Sequence, residues 1–131
     1  MEYILEINDR PFKAILAGTK KVEGRTPTQF DQTPFDKLQP GDVITFVNNV
    51  TREVLKVKVA FVHHYQSVKV MLESEGVENV LSSEPKTVAH GIESFNSLKG
   101  YQEGIKTSGI YAIGLISKEI KWILNQKTSK L

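Results

Sequence analysis

The residues best suited to chemistry lie in one short run, Gly18-Thr19-Lys20-Lys21-Val22-Glu23-Gly24-Arg25. If residues 22–25 are extended, the side chains of Glu23 and Arg25 project from the same face of the strand, because the side-chain period of a strand is two. Lys20 then lies at the corner where the strand begins. Gly24 lets a ligand or another segment of backbone approach closely. The spacing therefore predicts that three charges meet at one edge of a sheet.

Two interpretations of these charges remain open. In the structural one, Glu23 and Arg25 form an ordinary surface ion pair. In the catalytic one, Lys20 has a lowered pKa beside Lys21 and Arg25 and acts as a base or nucleophile, and Glu23 carries a proton. Arg25 then holds a phosphate or an oxyanion. If Glu23 pairs with Lys20 instead, the pKa of the lysine rises and its basicity is lost.

The charge pattern favours a small anion-binding site over a broad basic surface. Lys13, Lys20, Lys21 and Arg25 outnumber Glu23 in the stretch 13–25, whereas glutamates predominate in the stretch 73–103. A local positive patch of this size binds a few phosphates with modest, salt-sensitive affinity. Lys20, Lys21, Glu23 and Arg25 are the predicted ligand contacts.

The elements that position these residues follow from periodicity. Alternating residues predict strands near the N-terminus, at 22–25, at 43–47, at 55–61 and at 109–117. A helix with Asp9 at its start and Gly18 at its end precedes the charged run. Helical spacing returns in the region 66–100. The chain is therefore predicted to be an α+β domain with a small, mostly antiparallel barrel, one helix before the charged run and helices inserted around 66–100.

Gly18, Lys20, Glu23 and Arg25 reproduce the G-x-K-x-x-E-x-R signature of ASCH domains. Further similarities follow in order along residues 3–117: the preceding helix, the strand entry Leu38-x-Pro40-Gly41-Asp42-x-Ile44-x-Phe46, and a closing region Tyr101-x-x-Gly104-Ile105 with a strand from Gly109. The chain thus resembles the ASCH (activating signal cointegrator-1 homology) family of the PUA-like superfamily.

This resemblance implies a barrel whose signature residues line a cleft against the inserted helices and bind RNA or a modified nucleoside. Some small bacterial ASCH proteins hydrolyse N4-acetylcytidine, using the signature lysine, a threonine and a later glutamate. The chain keeps Lys20 but has Glu23 where those enzymes have threonine. Lys20 and Glu23 are the catalytic candidates if it is an amidohydrolase, with Glu73, Glu75 or Glu78 as the later carboxylate. A protein-interaction module is the third alternative.

The aromatic and histidine residues give additional candidates. Tyr101 is predicted to stack a base, and Tyr65 has the same potential, although aromatic residues beside a strand often belong to the core. His63 and His64 are adjacent on a strand, so their rings face opposite sides and do not chelate one metal ion. We expect no metal and no cofactor.

Composition limits the remaining possibilities. The chain has 131 residues, 40% hydrophobic and 24% charged, which is typical of one globular domain. It contains no cysteine, and no apolar run approaches the length that a membrane span needs. The N-terminus has no features of a signal peptide. We therefore expect a cytoplasmic, monomeric domain over 1–117, followed by a basic segment, 118–131, that is partly packed and frayed at its end.

Overall fold

The computed structural model describes the backbone of residues 1–122 and the side chains of residues 1–116. Five strands and five helices are present in this range, together with one 3₁₀ turn at Phe35–Lys37. In chain order they are β1 (Glu2–Ile7), α1 (Asp9–Ala17), β2 (Val22–Arg25), β3 (Val43–Asn48), β4 (Val54–Tyr65), α2 (Val68–Glu75), α3 (Val77–Val80), α4 (Val88–Asn96), α5 (Tyr101–Ser108) and β5 (Ile110–Trp122).

The strands form one mixed sheet in the order β1-β3-β4-β5-β2. Only β1 and β3 run parallel, and the other neighbouring pairs are antiparallel. The sheet curls into a half-barrel whose two edge strands are β1 and β2. The predicted α+β, mostly antiparallel architecture is confirmed.

Two apolar clusters cover the sheet, and β5 contributes to both because its side chains alternate. Ile113 and Leu115 join α1, β1, β3 and β4 in the first cluster. Ile110 and Ala112 join α2, α3 and α4 in the second. The inserted helices are therefore packed against β2 and β5, beside the charged run.

Helix α1 directs the chain toward that run. Phe12 and Ile15 are fully buried against the sheet. Gly18 has φ 82°, a left-handed conformation that suits glycine, and it ends the helix. The N–H of Gly18 donates to the carbonyl of Ile15 and that of Thr19 to the carbonyl of Ala14, which is a Schellman motif. The chain is thereby turned so that Lys20 enters the interior.

Two elements extend beyond the residues predicted for them. The inserted helices do not end near residue 100, because α5 continues from Tyr101 to Ser108. Gly100 adopts φ 81° and separates α4 from this second helix, and Tyr101 and Ile105, one helical turn apart, both pack on the second apolar cluster. The final strand, predicted over 109–117, likewise continues to Trp122.

The predicted frayed end, residues 126–131, lies outside the described residues. Among the helices that are described, none is long and apolar enough to cross a bilayer.

Candidate functional site

A cleft of about 510 Å³ opens where the two edge strands of the half-barrel face each other. Its floor is formed by Lys20 and by residues 23–25 of β2. Its walls come from residues 6–8 at the end of β1, the first turn of α1, residues 80–83 after α3, and residues 94–101 of α4 and the turn that follows. The cleft thus lies between the signature run and the inserted helices.

Glu23 and Arg25 share one face of β2, as the extended geometry predicted. The Nε of Arg25 donates to Oε2 of Glu23 at 2.7 Å. The pair is buried, since Glu23 is 6% exposed and Arg25 is 8% exposed. It is therefore not the exposed surface pair of the structural interpretation.

Lys20 completes a buried triad with them. Its Nζ lies 3.3 Å from Oε1 of Glu23, and it donates to the carbonyls of Val22, at 2.9 Å, and Val80. An ammonium group has three hydrogens, and here it has three acceptors. Lys20 consequently fastens the start of β2 to the end of α3.

The electrostatics of the triad are mutually balanced. Burial lowers the pKa of Lys20, against the opposing effect of the Glu23 carboxylate. Burial alone would raise the pKa of Glu23, but Arg25 and Lys20 outweigh it and hold that pKa below its ordinary value. Burial alone would lower the pKa of Arg25, but the negative charge of Glu23 outweighs burial and raises that pKa above its ordinary value. The shifts of Glu23 and Arg25 thus favour their charged forms, whereas burial works against the charged form of Lys20.

Arg25 also spans the open seam of the half-barrel. Its Nη2 donates to the carbonyl of Glu6 on β1 at 2.9 Å, and Nη1 lies 3.9 Å from Oδ2 of Asp31. One side chain thus ties β2 to β1, two strands that share no ladder in the sheet order.

Two aromatic rings form one wall. Phe95 and Tyr101 stack with ring centroids 6.3 Å apart and an interplanar angle of 26°. Phe95 lies directly on the backbone of β2, because a Cβ added at Gly24 would be 2.8 Å from its Cζ. Burial raises the pKa of Tyr101 to about 12, so its hydroxyl stays protonated at neutral pH. Tyr101 also lines the cleft.

Lys21, by contrast, is exposed and does not line the cleft. It follows Lys20 directly and so points away from the floor, while its backbone bonds to Asn79 and Leu115. Lys13 pairs with Asp9 on α1. The structure therefore places Lys21, a predicted ligand contact, outside the cleft, because residues close in sequence are divided between different surfaces.

The predicted later carboxylate is also absent from the cleft. Glu73, Glu75 and Glu78 are not among its lining residues. Glu75 instead bonds to Nδ1 of His63 at 2.7 Å and accepts a hydrogen bond from the hydroxyl of Tyr65.

The histidines have separate partners as well. His63 stacks on Phe61, and Nε2 of His64 bonds to the carbonyl of Ser108. Among the described side chains, no group of three potential metal ligands is close enough to hold an ion.

Sequence reasoning missed the rim of the cleft. Arg10 and Lys99 line the rim, and both are exposed. Six residues with polar side chains also line it: Asn8, Asn49, Ser82, Ser83, Ser94 and Ser97. They come from segments far apart in the sequence, so no local spacing brings them together.

Comparison with known proteins gives the family. The model of the ASCH domain matches residues 5–123. The chain belongs to the ASCH domain family. Its structure is similar to the crystal structure of the hypothetical protein PH0355, with 33% identity over 94% of this chain and 100% of that one and a TM-score of 0.71. It is also similar to the solution NMR structure of protein PF0455 from Pyrococcus furiosus, with 32% identity over 94% and 98% of the two chains and a TM-score of 0.64. No curated protein matches the chain.

In this ASCH domain each signature residue has a defined structural position. Gly18 ends α1, and Lys20 joins β2 to α3. Glu23 neutralises both cations, and Arg25 bridges the seam to β1. The signature is thus a buried charge network that forms the floor of the cleft.

Proposed function

We propose that this ASCH domain binds RNA or a nucleoside, with one base inserted in the cleft at the seam. The observation that carries the proposal is the combination of a carboxylate in the floor with an aromatic pair in the wall of one cleft of about 510 Å³. Clefts of a few hundred Å³ are typical of sites for small molecules. The size suits a single nucleotide unit.

Glu23 supplies the polar contact. Each of its carboxylate oxygens contacts one cation, Lys20 or Arg25. A carboxylate has about four acceptor positions, so two remain for a ligand. The exocyclic amino group of a base is a donor that pairs well with a carboxylate, as in the contact between Glu and cytosine N4. We therefore expect a preference for bases that carry an amino group.

The aromatic wall supplies the stacking surface. Base–aromatic stacking contributes about 1–3 kcal/mol per base and tolerates different sequences. An unpaired base reaches such a wall, whereas a base in a duplex does not. Phe95 is held against β2 and Tyr101 stacks on it, so the wall is ordered before a ligand arrives. Single-stranded RNA or a free nucleoside is the favoured ligand.

The test is a calorimetric titration at low salt with the four common nucleosides and short single-stranded RNA. We expect binding, tighter for cytidine and adenosine than for uridine, and weakened severalfold in Tyr101→Leu. Lys21→Gln is the matched control, because Lys21 is exposed outside the cleft, and it should bind like the wild type. Absence of binding by every ligand would contradict the proposal, and capture of one protein partner insensitive to nuclease would support the protein-interaction alternative instead.

The amidohydrolase alternative has less support from the geometry. A lysine acts as a base or nucleophile only when its nitrogen has a free lone pair, but the ammonium of Lys20 donates to Val22 and Val80 and contacts Glu23. Lowering of its pKa by burial is the one feature that favours catalysis. We expect N4-acetylcytidine to bind without release of cytidine. Cytidine release that Lys20→Met abolishes would overturn this assignment in favour of the hydrolase.

A further inference from the structure

We propose that the ligand of the cleft carries a phosphate, and that this phosphate binds Arg10 and Lys99 at the rim rather than the signature cations. The inference rests on the proposed function and names the class of ligand: a nucleotide, either free or at the end of an RNA chain. It assigns the phosphate contacts to two residues outside the ASCH signature.

The signature cations are unsuited to this role because their charge is already balanced. Lys20 has three acceptors inside the protein. Arg25 faces Glu23 and Asp31 and donates to the carbonyl of Glu6. Both side chains are buried, so moving a phosphate against them would require desolvating its charge and breaking existing bonds.

Arg10 and Lys99 have the opposite character. Both are exposed and both line the cleft, and neither forms an ion pair with a described residue. The acids nearest to Arg10 in sequence are committed elsewhere, since Glu6 pairs with Arg52 at 3.2 Å and Asp9 pairs with Lys13 at 3.1 Å. The rim therefore has two cations whose charge is available to a ligand.

Their positions are also constrained by the fold. Arg10 lies in the first turn of α1, directly after β1. Lys99 lies between α4 and α5, and its Nζ is 4.2 Å from the centroid of the Phe30 ring, an exposed cation–π contact to a ring outside the cleft lining, which a phosphate can replace. Serine and asparagine side chains on the same rim, including Asn8 and Ser97, supply additional donors. The cleft thus has a contact for a base in its floor and cations for a phosphate at its rim.

The test compares each of the four nucleosides with its 5′-monophosphate by calorimetry in 50 mM salt, which separates this inference from the proposed function. We expect the best monophosphate to bind about tenfold tighter than its nucleoside, as charge-assisted hydrogen bonds provide. Arg10→Gln and Lys99→Gln should each lower the ratio of monophosphate affinity to nucleoside affinity by about threefold. Lys58→Gln, on β4 and outside the cleft, is the matched control and should change neither value.

Equal binding of nucleoside and monophosphate, or a monophosphate affinity unaffected by both rim substitutions, would overturn this inference and leave the proposed function standing. Absence of binding by all eight ligands would overturn both. A trinucleotide with and without a 5′-phosphate distinguishes the source of the nucleotide. A gain from that phosphate identifies the end of an RNA chain, and a gain confined to free monophosphates identifies a mononucleotide.

Discussion

At the scale of single residues, Glu23 is the group on which the charge network depends. It is the acid that balances both Lys20 and Arg25 in the floor of the cleft. Removing one partner of a buried ion pair leaves an uncompensated charge and costs about 3–5 kcal/mol. We therefore expect Glu23→Gln to lower the free energy of unfolding by that amount in urea denaturation.

Lys58→Gln is the control for this measurement, because Lys58 is an exposed residue of β4. Such surface substitutions change stability by about 0.5 kcal/mol or less. A loss in Glu23→Gln no larger than that of the control would show that the triad is not a coupled unit.

Tyr101 makes the stability of the folded protein depend on pH. Its pKa is about 12 in the folded protein, against about 10 in an unfolded chain. The folded state holds the phenolic proton more tightly, so its contribution to stability is complete below pH 10 and is lost as the pH rises toward 12. Two pKa units correspond to about 3 kcal/mol.

Absorbance at 295 nm should accordingly show one tyrosine that ionises near pH 12 and is missing from Tyr101→Phe. The loss of stability between pH 10 and 12 should be smaller in that variant by the same few kcal/mol. Identical titrations of the two proteins would contradict the assignment.

The sequence predicted part of this site, and the reason is distance along the chain. Lys20, Glu23 and Arg25 lie within one turn and one short strand, so local spacing was enough to group them. It could not predict that they are buried, because burial depends on α3 and on β1, which are far away in sequence. The rim residues Arg10 and Lys99 were missed for the same reason.

At the scale of elements, the packing of α4 on β2 depends on Gly24. An added Cβ there would lie 2.8 Å from the Phe95 ring, and overpacking of this kind costs about 1–3 kcal/mol. We expect Gly24→Ala to lose that much stability and Phe95→Leu to lose some by leaving a gap. The loss of unfolding free energy in the double variant should be smaller than the sum of the two single losses, by at least about 0.5 kcal/mol. Strict additivity in urea denaturation would contradict the contact.

The segment between β2 and the 3₁₀ turn contains a hydroxyl without a partner. Thr26 is 1% exposed, and its Oγ1 has no hydrogen bond. An unsatisfied buried polar group is unfavourable, so Thr26→Val should leave stability unchanged or raise it by about 1 kcal/mol. Thr28→Val is the contrast, because Oγ1 of Thr28 accepts from the N–H groups of Phe30 and Asp31, and its loss should cost about 1 kcal/mol. The reverse order in thermal denaturation would contradict this description.

Element types were predictable where the period was long and clear. The alternation along 55–61 identified β4, and the apolar face of α1 with Gly18 identified the helix before the signature. The helix at Tyr101–Ser108 was not predicted, because the segment between Gly100 and Gly109 is too short to show a clear period. Packing of Tyr101 and Ile105 on the helical cluster decides the outcome, and that packing is tertiary.

At the scale of the whole molecule, the cleft exists because the half-barrel does not close. Strands β1 and β2 are the two edges of the sheet, and exposed edges are usually covered or blocked. Here Arg25 bridges them through the carbonyl of Glu6, and Lys20 binds the carbonyl of Val22 at the start of β2. The same charges that seal the seam form the floor of the proposed binding site, which explains why the ASCH signature lies at this position in the fold.

Mapping the binding surface by ¹H–¹⁵N NMR during titration with a nucleoside monophosphate tests this account most directly. The largest amide shifts should fall on residues 23–25 of the floor and on residues 94–101 of the aromatic wall, with further shifts at Arg10. Amides of the turn at residues 39–42, which lies beside Met1 at the other end of β1 and does not line the cleft, should remain unchanged. Shifts concentrated on that turn, or no shifts at millimolar ligand, would show that the seam is not a nucleotide site.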